Sequence, residues 1–299
     1  MRDEMAVHAD FTVRDLVVNK VRRDIHTILD MFQPLPLLPI IRPMKPPRFE
    51  PSAVKDWLRH LADEGFAVIA GVADEVEVEA SYAMLWDFIE AADSLKKISR
   101  RKVSTWGDCR GARCGWPAGR EDGIVHAGGI GKSRPLWHAR GLPRLRRVFA
   151  DLWGTDHLVT SFDGAGVFRP YGHDPEWRTK KSNWHHVDQA HRKRGLHCVQ
   201  GLLTLKDATE RTGGLVVVPR SHRFHGEVLR NYKPGKDGWD FIAISASDKV
   251  ITADGGGPRM VCARAGDLVL WDSRTIHCNT LPLTEDAELL RGDDLIRAV

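Results

Sequence analysis

The chain reads as mainly β with flanking α-helices, its core a double-stranded β-helix, or jelly-roll barrel. Two observations predict this. From 157 to 299, short runs rich in Val, Leu and Trp alternate with Gly-bearing turns, the pattern of antiparallel strands in a double-layered barrel. Helical spacing of apolar residues is confined to the first half. With 299 residues and 42% hydrophobic content, the chain can bury one large core.

In chain order, residues 11–33 carry Leu16, Val17, Val21, Ile25, Ile28, Leu29 and Phe32 at helical spacing and predict an amphipathic helix. Pro34 to Pro51 is Pro-rich and apolar, an extended strap or linker. Ser52 is placed to cap a helix ending near Glu64-Gly65, with Trp57, Leu58 and Leu61 on its core face. Phe66–Ala70 reads as a strand, and 74–99 as a long helix bracing a sheet through Ala80, Met84, Leu85, Phe88 and Ile89. From Lys102 to Gly141 the chain is irregular and rich in Gly, Trp and Arg. Gly129-Ile130-Gly131-Lys132-Ser133 is not a phosphate loop. The first glycine of that motif would fall at His126, and Pro135 interrupts the helix that should come next. Trp137 and Arg140 are candidates for a substrate mouth. A short helix is expected over 143–153, then strands at His157–Phe162, Cys198–Leu205, Leu215–Val218 and Leu268–Trp271.

The chemistry gathers at Asn183-Trp184-His185-His186-Val187-Asp188-Gln189 and at Trp271-Asp272-Ser273-Arg274-Thr275-Ile276-His277. On an extended backbone, residues two apart point to the same side. His186 and Asp188 can therefore reach one metal ion while Val187 points away. Two His and one carboxylate on one face of an octahedral metal leave three positions open, the pattern of non-haem Fe(II) oxygenases. His277 is the expected third ligand. His185 faces the other side of the strand and is not expected to share the metal. A second His-x-Asp, His8-Ala9-Asp10, has no strand around it.

The order of segments resembles the phytanoyl-CoA dioxygenase family: His186-Val187-Asp188, then Thr212-Gly213-Gly214-Leu215-Val216-Val217-Val218-Pro219-Arg220-Ser221-His222, then Gly266-Asp267 leading to His277. The resemblance is good over 155–299, looser over 51–154 and absent from 1–50. With the periodicity and Pro content of the N-terminal region, it divides the chain into 1–50, an N-terminal helix and Pro-rich extension, and 51–299, the barrel domain, with a helical bracing region (51–154) and barrel core (155–299). It implies Fe(II) at His186, Asp188 and His277, 2-oxoglutarate and dioxygen as co-substrates, and a small organic molecule hydroxylated as 2-oxoglutarate is decarboxylated to succinate. Asp188 occupies the position that related halogenases leave to chloride, which favours hydroxylation. The far carboxylate of 2-oxoglutarate calls for an Arg after the distal His. The usual interval, 278–287, holds none. Arg297, among apolar β-favouring neighbours, is preferred to Arg291, which adjoins Gly292-Asp293-Asp294. Asn279 matches a position that can also touch the co-substrate. Arg220 replaces the usual Gly, so a looser turn is expected there. His222 and His225 read as surface or turn residues. The chain ends at Val299, midway through an expected core strand, which raises the expectation of a fragment or an incomplete barrel.

A net charge of +4 with 44 basic against 40 acidic residues gives no ground for nucleic-acid or membrane partners. Basic runs at 178–181 and 192–194 flank the metal motif as solvated loop faces or as an attraction for an acidic substrate. No apolar run of transmembrane length and no signal-peptide core occurs. Five irregularly spaced Cys fit a reducing, cytoplasmic setting. Two other readings stay open. One is a degenerate barrel without turnover. The other is a nucleic-acid demethylase, whose RxNxTxR run after the distal pair is missing here.

Overall fold

The computed structural model describes residues 39–92, 97–107, 115–234, 239–252 and 257–299. The helix expected over 11–33 lies outside them. The strands are β1 (Arg42–Met44), β2 (Arg48–Phe49), β3 (Phe66–Ile69), β4 (Ile124–Val125), β5 (Ala165–Phe168), β6 (His186–Asp188), β7 (Val199–Leu203), β8 (Gly214–Val217), β9 (Phe241–Ala243), β10 (Arg259–Val261), β11 (Leu268–Asp272), β12 (His277–Thr280) and β13 (Arg297–Ala298). The longer helices are α1 (Val54–Glu64), α2 (Glu75–Ala91), α3 (Arg134–Gly141) and α4 (Pro143–Trp153). One sheet runs β1-β10-β8-β12-β6-β9, a second β2-β3-β11-β7, and a third β13-β5-β4. The molecule is a jelly roll with helices on its outside.

Period-2 alternation explains how the layers stack. In β3 and β11, Phe66, Val68, Val269 and Trp271 pack inward with Leu215, Val217 and Val261 of the six-stranded sheet. The intervening Ala67, Ile69, Leu268 and Leu270 pack outward against Trp57 and Leu61 of α1 and Leu145 and Val148 of α4. Strands buried on both faces read as unbroken apolar runs, as Phe66-Ala67-Val68-Ile69 and Leu268-Val269-Leu270-Trp271 do. A separate core of Trp86, Trp106, Trp116, Val167 and Ala298 fills the space between α2 and the three-stranded sheet.

The Pro-rich strap supplies β1 and β2, which run parallel to β10 and β3. Arg48 in β2 holds the buried Asp267 carboxylate with two bonds of 2.7 and 2.8 Å, and the same carboxylate accepts from the backbone N–H of Gly71 and Arg264. The Gly266-Asp267 turn thus joins the strap, the end of β3 and the start of β11.

Several elements differ from expectation. Helix α1 is preceded by Ala53, with no side-chain cap, so Ser52 does not serve. Helix α2 begins with an Asp74–Glu77 capping box but ends at Ala91, short of 99. Residues 97–100 are not helical, and the Arg100 N–H and guanidinium donate to the Glu90 carboxylate. The stretch 102–141 is not wholly irregular. It contains β4 and α3, and Pro135 sits in the first turn of α3, where its missing N–H costs no helical bond. His157–Phe162 is not a strand; the first barrel strand of that region is β5. The ladder to β4 begins only at Ala165, opposite Val125, which leaves the preceding segment without a partner. His222 and His225 are turn residues but buried, bonded to the carbonyls of Ala62 and Gln189. Arg220 does not loosen its turn. It adopts the left-handed conformation itself (φ 66°), and its guanidinium is held by Glu64.

Gly65 ends α1 with φ 82° and places its carbonyl to accept from Asp272 N–H and the Thr275 hydroxyl. A Cβ there would stand 2.5 Å from both His222 Nδ1 and Thr275 Oγ1. Gly65→Ala is therefore expected to lower unfolding free energy by about 2–4 kcal/mol, read as a lower urea midpoint at unchanged slope.

Candidate metal centre and co-substrate pocket

His277 in β12 pairs with His186 in β6 in direct antiparallel register. Directly opposed residues share a face of the sheet, so the pairing sets the two imidazoles side by side, their ring centres 4.1 Å apart. Asp188, two residues beyond His186, presents Oδ2 3.7 Å from His186 Nε2 and 3.4 Å from His277 Nε2. One ligand atom from each lies within 4.8 Å of the others, a spacing that fits a single ion.

The other ring nitrogens set the direction of the imidazoles. His186 Nδ1 donates to the Trp184 carbonyl at 3.1 Å, and His277 Nδ1 donates to the Thr275 carbonyl at 2.9 Å. Both Nε2 atoms are thereby turned toward Asp188. Burial, then the neighbouring His277, pushes the His186 imidazole well down, so its Nε2 keeps a free lone pair. Burial works to raise the Asp188 carboxyl, but the hydrogen bond and attraction from His277, with His186 and Gln200 adding, hold it below the usual range. Gln200 Nε2 donates to Asp188 Oδ2 at 2.8 Å. A carboxylate with imidazole Nε2 donors on one face fits Fe(II). Trp184 and Phe241 stack on the two sides of the His186 ring, at 4.9 and 4.6 Å.

His185 lies outside this group. Its Nδ1 donates to the Asn183 carbonyl, and burial pushes its imidazole down to about 4. The basic runs are largely committed elsewhere: Arg178 to Glu285, Lys181 to Asp122, Arg192 and Lys193 to Asp240.

The three candidate ligands line the inner part of a cavity of ≈ 1730 Å³ that also takes in Asn279, Gln200 and Trp271. Trp137 and Arg140 line it too. Gln200 and Trp271 are register partners on β7 and β11. Gln200 Oε1 and Trp271 Nε1 are buried without a protein partner, an acceptor and a donor left for something bound.

Arg297 is 2% exposed and takes part in no ion pair among the described residues. Its Nη2 donates to Asn279 Oδ1 and its Nη1 to the Thr280 carbonyl, both at 2.9 Å, and the guanidinium lies 3.8 Å over the Phe168 ring. Burial pushes it down to about 9. It does not line the cavity; Asn279, its acceptor, does. Gly213 has φ 74°, and a Cβ on it would stand 2.3 Å from the Thr280 carbonyl oxygen, which accounts for one glycine of the Thr212-Gly213-Gly214 turn; Arg297 Nη1 would lie 3.0 Å away. Arg291 is exposed. Gln200, Trp184 and Phe241 are not marked as site residues by any sequence pattern. Trp184 lies two residues before His186 in the quoted stretch, whereas Gln200 on β7 and Phe241 on β9 are brought to the candidate ligands by the folding of distant strands.

Known proteins resemble this chain. A 31% identical protein, Ava biosynthesis cluster protein O of Aspergillus versicolor, aligns over 164 residues, 50% of each chain. A phytanoyl-CoA dioxygenase-like protein of Dictyostelium discoideum is 25% identical over 252 residues, 71% of this chain and 67% of that one. This chain spans about half the length of the Aspergillus relative. Among solved structures, the 2-oxoglutarate-dependent carbocyclase SnoK of nogalamycin biosynthesis has the same fold at TM-score 0.52, with 17% identity over 85% of this chain and 84% of that one. The epimerase SnoN, crystallised with Fe³⁺ and 2-oxoglutarate, has it at 0.51, with 16% identity over 79% and 80%. Residues 124–279, more than half of the chain, match the phytanoyl-CoA dioxygenase family, and the chain belongs to that family of Fe(II)- and 2-oxoglutarate-dependent oxygenases.

Proposed function

We propose that this chain hydroxylates a C–H bond of a small organic molecule, using Fe(II) held by His186, Asp188 and His277 and 2-oxoglutarate as co-substrate. The observation that carries the reading is the convergence of these three donors within 4.8 Å at the inner part of a large cavity. When bound, iron and 2-oxoglutarate would supply, by reduction of dioxygen, an oxidant strong enough to break a C–H bond, with succinate and CO2 as the co-products.

The chain's own residues do the positioning. The carbonyls of Trp184 and Thr275 orient the two imidazoles, and Gln200 orients the carboxylate. Arg297 and Asn279 are the proposed anchor for the far carboxylate of 2-oxoglutarate. A buried guanidinium without a carboxylate is costly, and an anion in the adjoining cavity would relieve it. The pairing of Arg297 with Asn279, whose side chain meets the cavity, supports this route over one through exposed Arg291. Apolar barrel walls exclude bulk water from the reacting centre.

The fold neighbours include a carbocyclase and an epimerase, so C–H cleavage on this fold has more than one outcome. Turnover under ¹⁸O₂ separates them. Hydroxylation predicts one labelled oxygen in the product, whereas an unlabelled rearranged product would replace it with cyclisation or epimerisation. In anaerobic Fe(II) titrations, His186→Ala, Asp188→Ala and His277→Ala are each expected to lose at least tenfold in affinity, and His185→Ala to keep most of it. Equal loss in His185→Ala would place the wrong imidazole at the metal.

Arg297→Ala is expected to weaken 2-oxoglutarate binding to the iron-loaded protein ten- to a hundredfold, or about 1.5–3 kcal/mol. Iron binding and the Arg291→Ala variant should change little. The reverse ranking in a 2-oxoglutarate titration would move the anchor to the loop.

A further inference from the structure

The geometry points to a substrate that is large, neutral and mostly apolar, bound through its ring or hydrocarbon surface at an aromatic mouth, and not an acyl thioester of coenzyme A. This rests on the oxygenase reading above and names the substrate class for the same site.

The cavity is large for a small ligand. Pockets for drug-sized ligands run to roughly 300–1,000 Å³, and this cavity measures ≈ 1730 Å³. Iron and 2-oxoglutarate fill only the part next to His186, Asp188 and His277. A free amino acid or sugar would leave most of the remainder to water.

Exposed apolar surface concentrates at the same place. Ten large apolar side chains are exposed among the described residues, and five of them line this one cavity: Trp137, Trp153, Val159, Phe162 and Phe241. Val159 is 99% exposed and Phe162 70%. They belong to the unpaired segment that precedes β5. Trp137 and Trp153 belong to α3 and α4. Exposed apolar side chains gathered on the rim of a cavity, and continuous with a reactive centre, mark a binding surface. Trp184 and Phe241 continue the same character inward, beside His186.

Charge decides against a phosphate-bearing carrier. Lys132, Arg140 and Arg146 line the cavity, but so do Asp156 and Asp163, apart from the metal-site Asp188. Arg140 is already committed, donating to the Gly131 carbonyl at 2.6 Å and lying over the Trp137 ring at 5.3 Å. Nearly balanced charge suits a neutral ligand. The several phosphate charges of coenzyme A would call for a basic cluster, and the acids here would oppose it.

The test uses the full chain loaded with Fe(II) and 2-oxoglutarate under nitrogen, with the neutral polycyclic dye Nile red as probe. Saturable fluorescence enhancement is expected, with affinity falling at least tenfold in Trp137→Ala/Phe162→Ser. Decanoyl-CoA should not displace the dye at concentrations where the neutral tetracycle progesterone does. Displacement by decanoyl-CoA that is lost in Lys132→Ala/Arg146→Ala would overturn the proposal in favour of a thioester. Unchanged dye affinity in the rim variant would overturn it by removing the mouth from the site. Circular dichroism and retained Fe(II) affinity verify that the rim variant is folded. Repeating the titration on metal-free protein separates the two readings: dye binding that survives there, alongside absent Fe(II) binding, supports the mouth while sinking the oxygenase.

Discussion

The register of one short strand pair, β6 against β12, is the constraint on which the site depends. Strand side chains alternate with a period of two, so a slip of one residue would turn His277 away from His186 and out of the cavity. Three residues of β6 are too few to hold that register alone. It is held by neighbours on both sides, β9 along all three residues of β6 and β8 along all four of β12. The loop before β12 adds to this, through Ile276 N–H to the Ser221 hydroxyl and Asp188 N–H to the Ser273 carbonyl. The candidate metal ligands are thus placed by sheet pairing, and the two imidazole orientations by carbonyls two residues upstream.

Electrostatics divides the interior into two settings. At the candidate metal site, the Asp188 carboxylate stands within 3.7 Å of both imidazole Nε2 atoms and accepts from Gln200. Around Arg297 an amide oxygen, a carbonyl and an aromatic face solvate the guanidinium, but no carboxylate among the described residues neutralises it. Low local dielectric makes such a residue expensive for the fold and valuable for binding an anion. Asp267 shows the contrasting structural solution. Its buried charge is met by Arg48 and backbone N–H groups, and it ties the strap to the barrel without reaching the cavity.

Strain is also placed where the architecture needs it. Arg220 accepts a left-handed conformation that glycine would take freely, and its side chain reaches Glu64 at the end of α1. The tight turn survives because the ion pair and the Arg220 N–H bond to the Glu64 carbonyl hold it from the helix side. Ser221, next in the chain, can then reach Ile276, one residue from a metal ligand.

Local sequence was enough to define the barrel strands that are buried on both faces, the His-x-Asp pair and its distal His, and the contrast between Arg297 on a strand and Arg291 on a loop. Each is written in local terms: an apolar run, a spacing of two, the company of Gly and Asp. Long-range packing settled the rest. His157–Phe162 has the composition of a strand but pairs with no strand among the described residues, and Val159 and Phe162 open onto the cavity. Helix α2 ends at Ala91, and Arg100 bonds Glu90 in its last turn, a contact ten residues apart. Gln200 and Phe241 join the site only through pairing between distant strands and stacking on His186. Asn279 stands between Arg297 and the cavity for the same reason: strand partners and side-chain reach are long-range facts, which composition and periodicity do not encode.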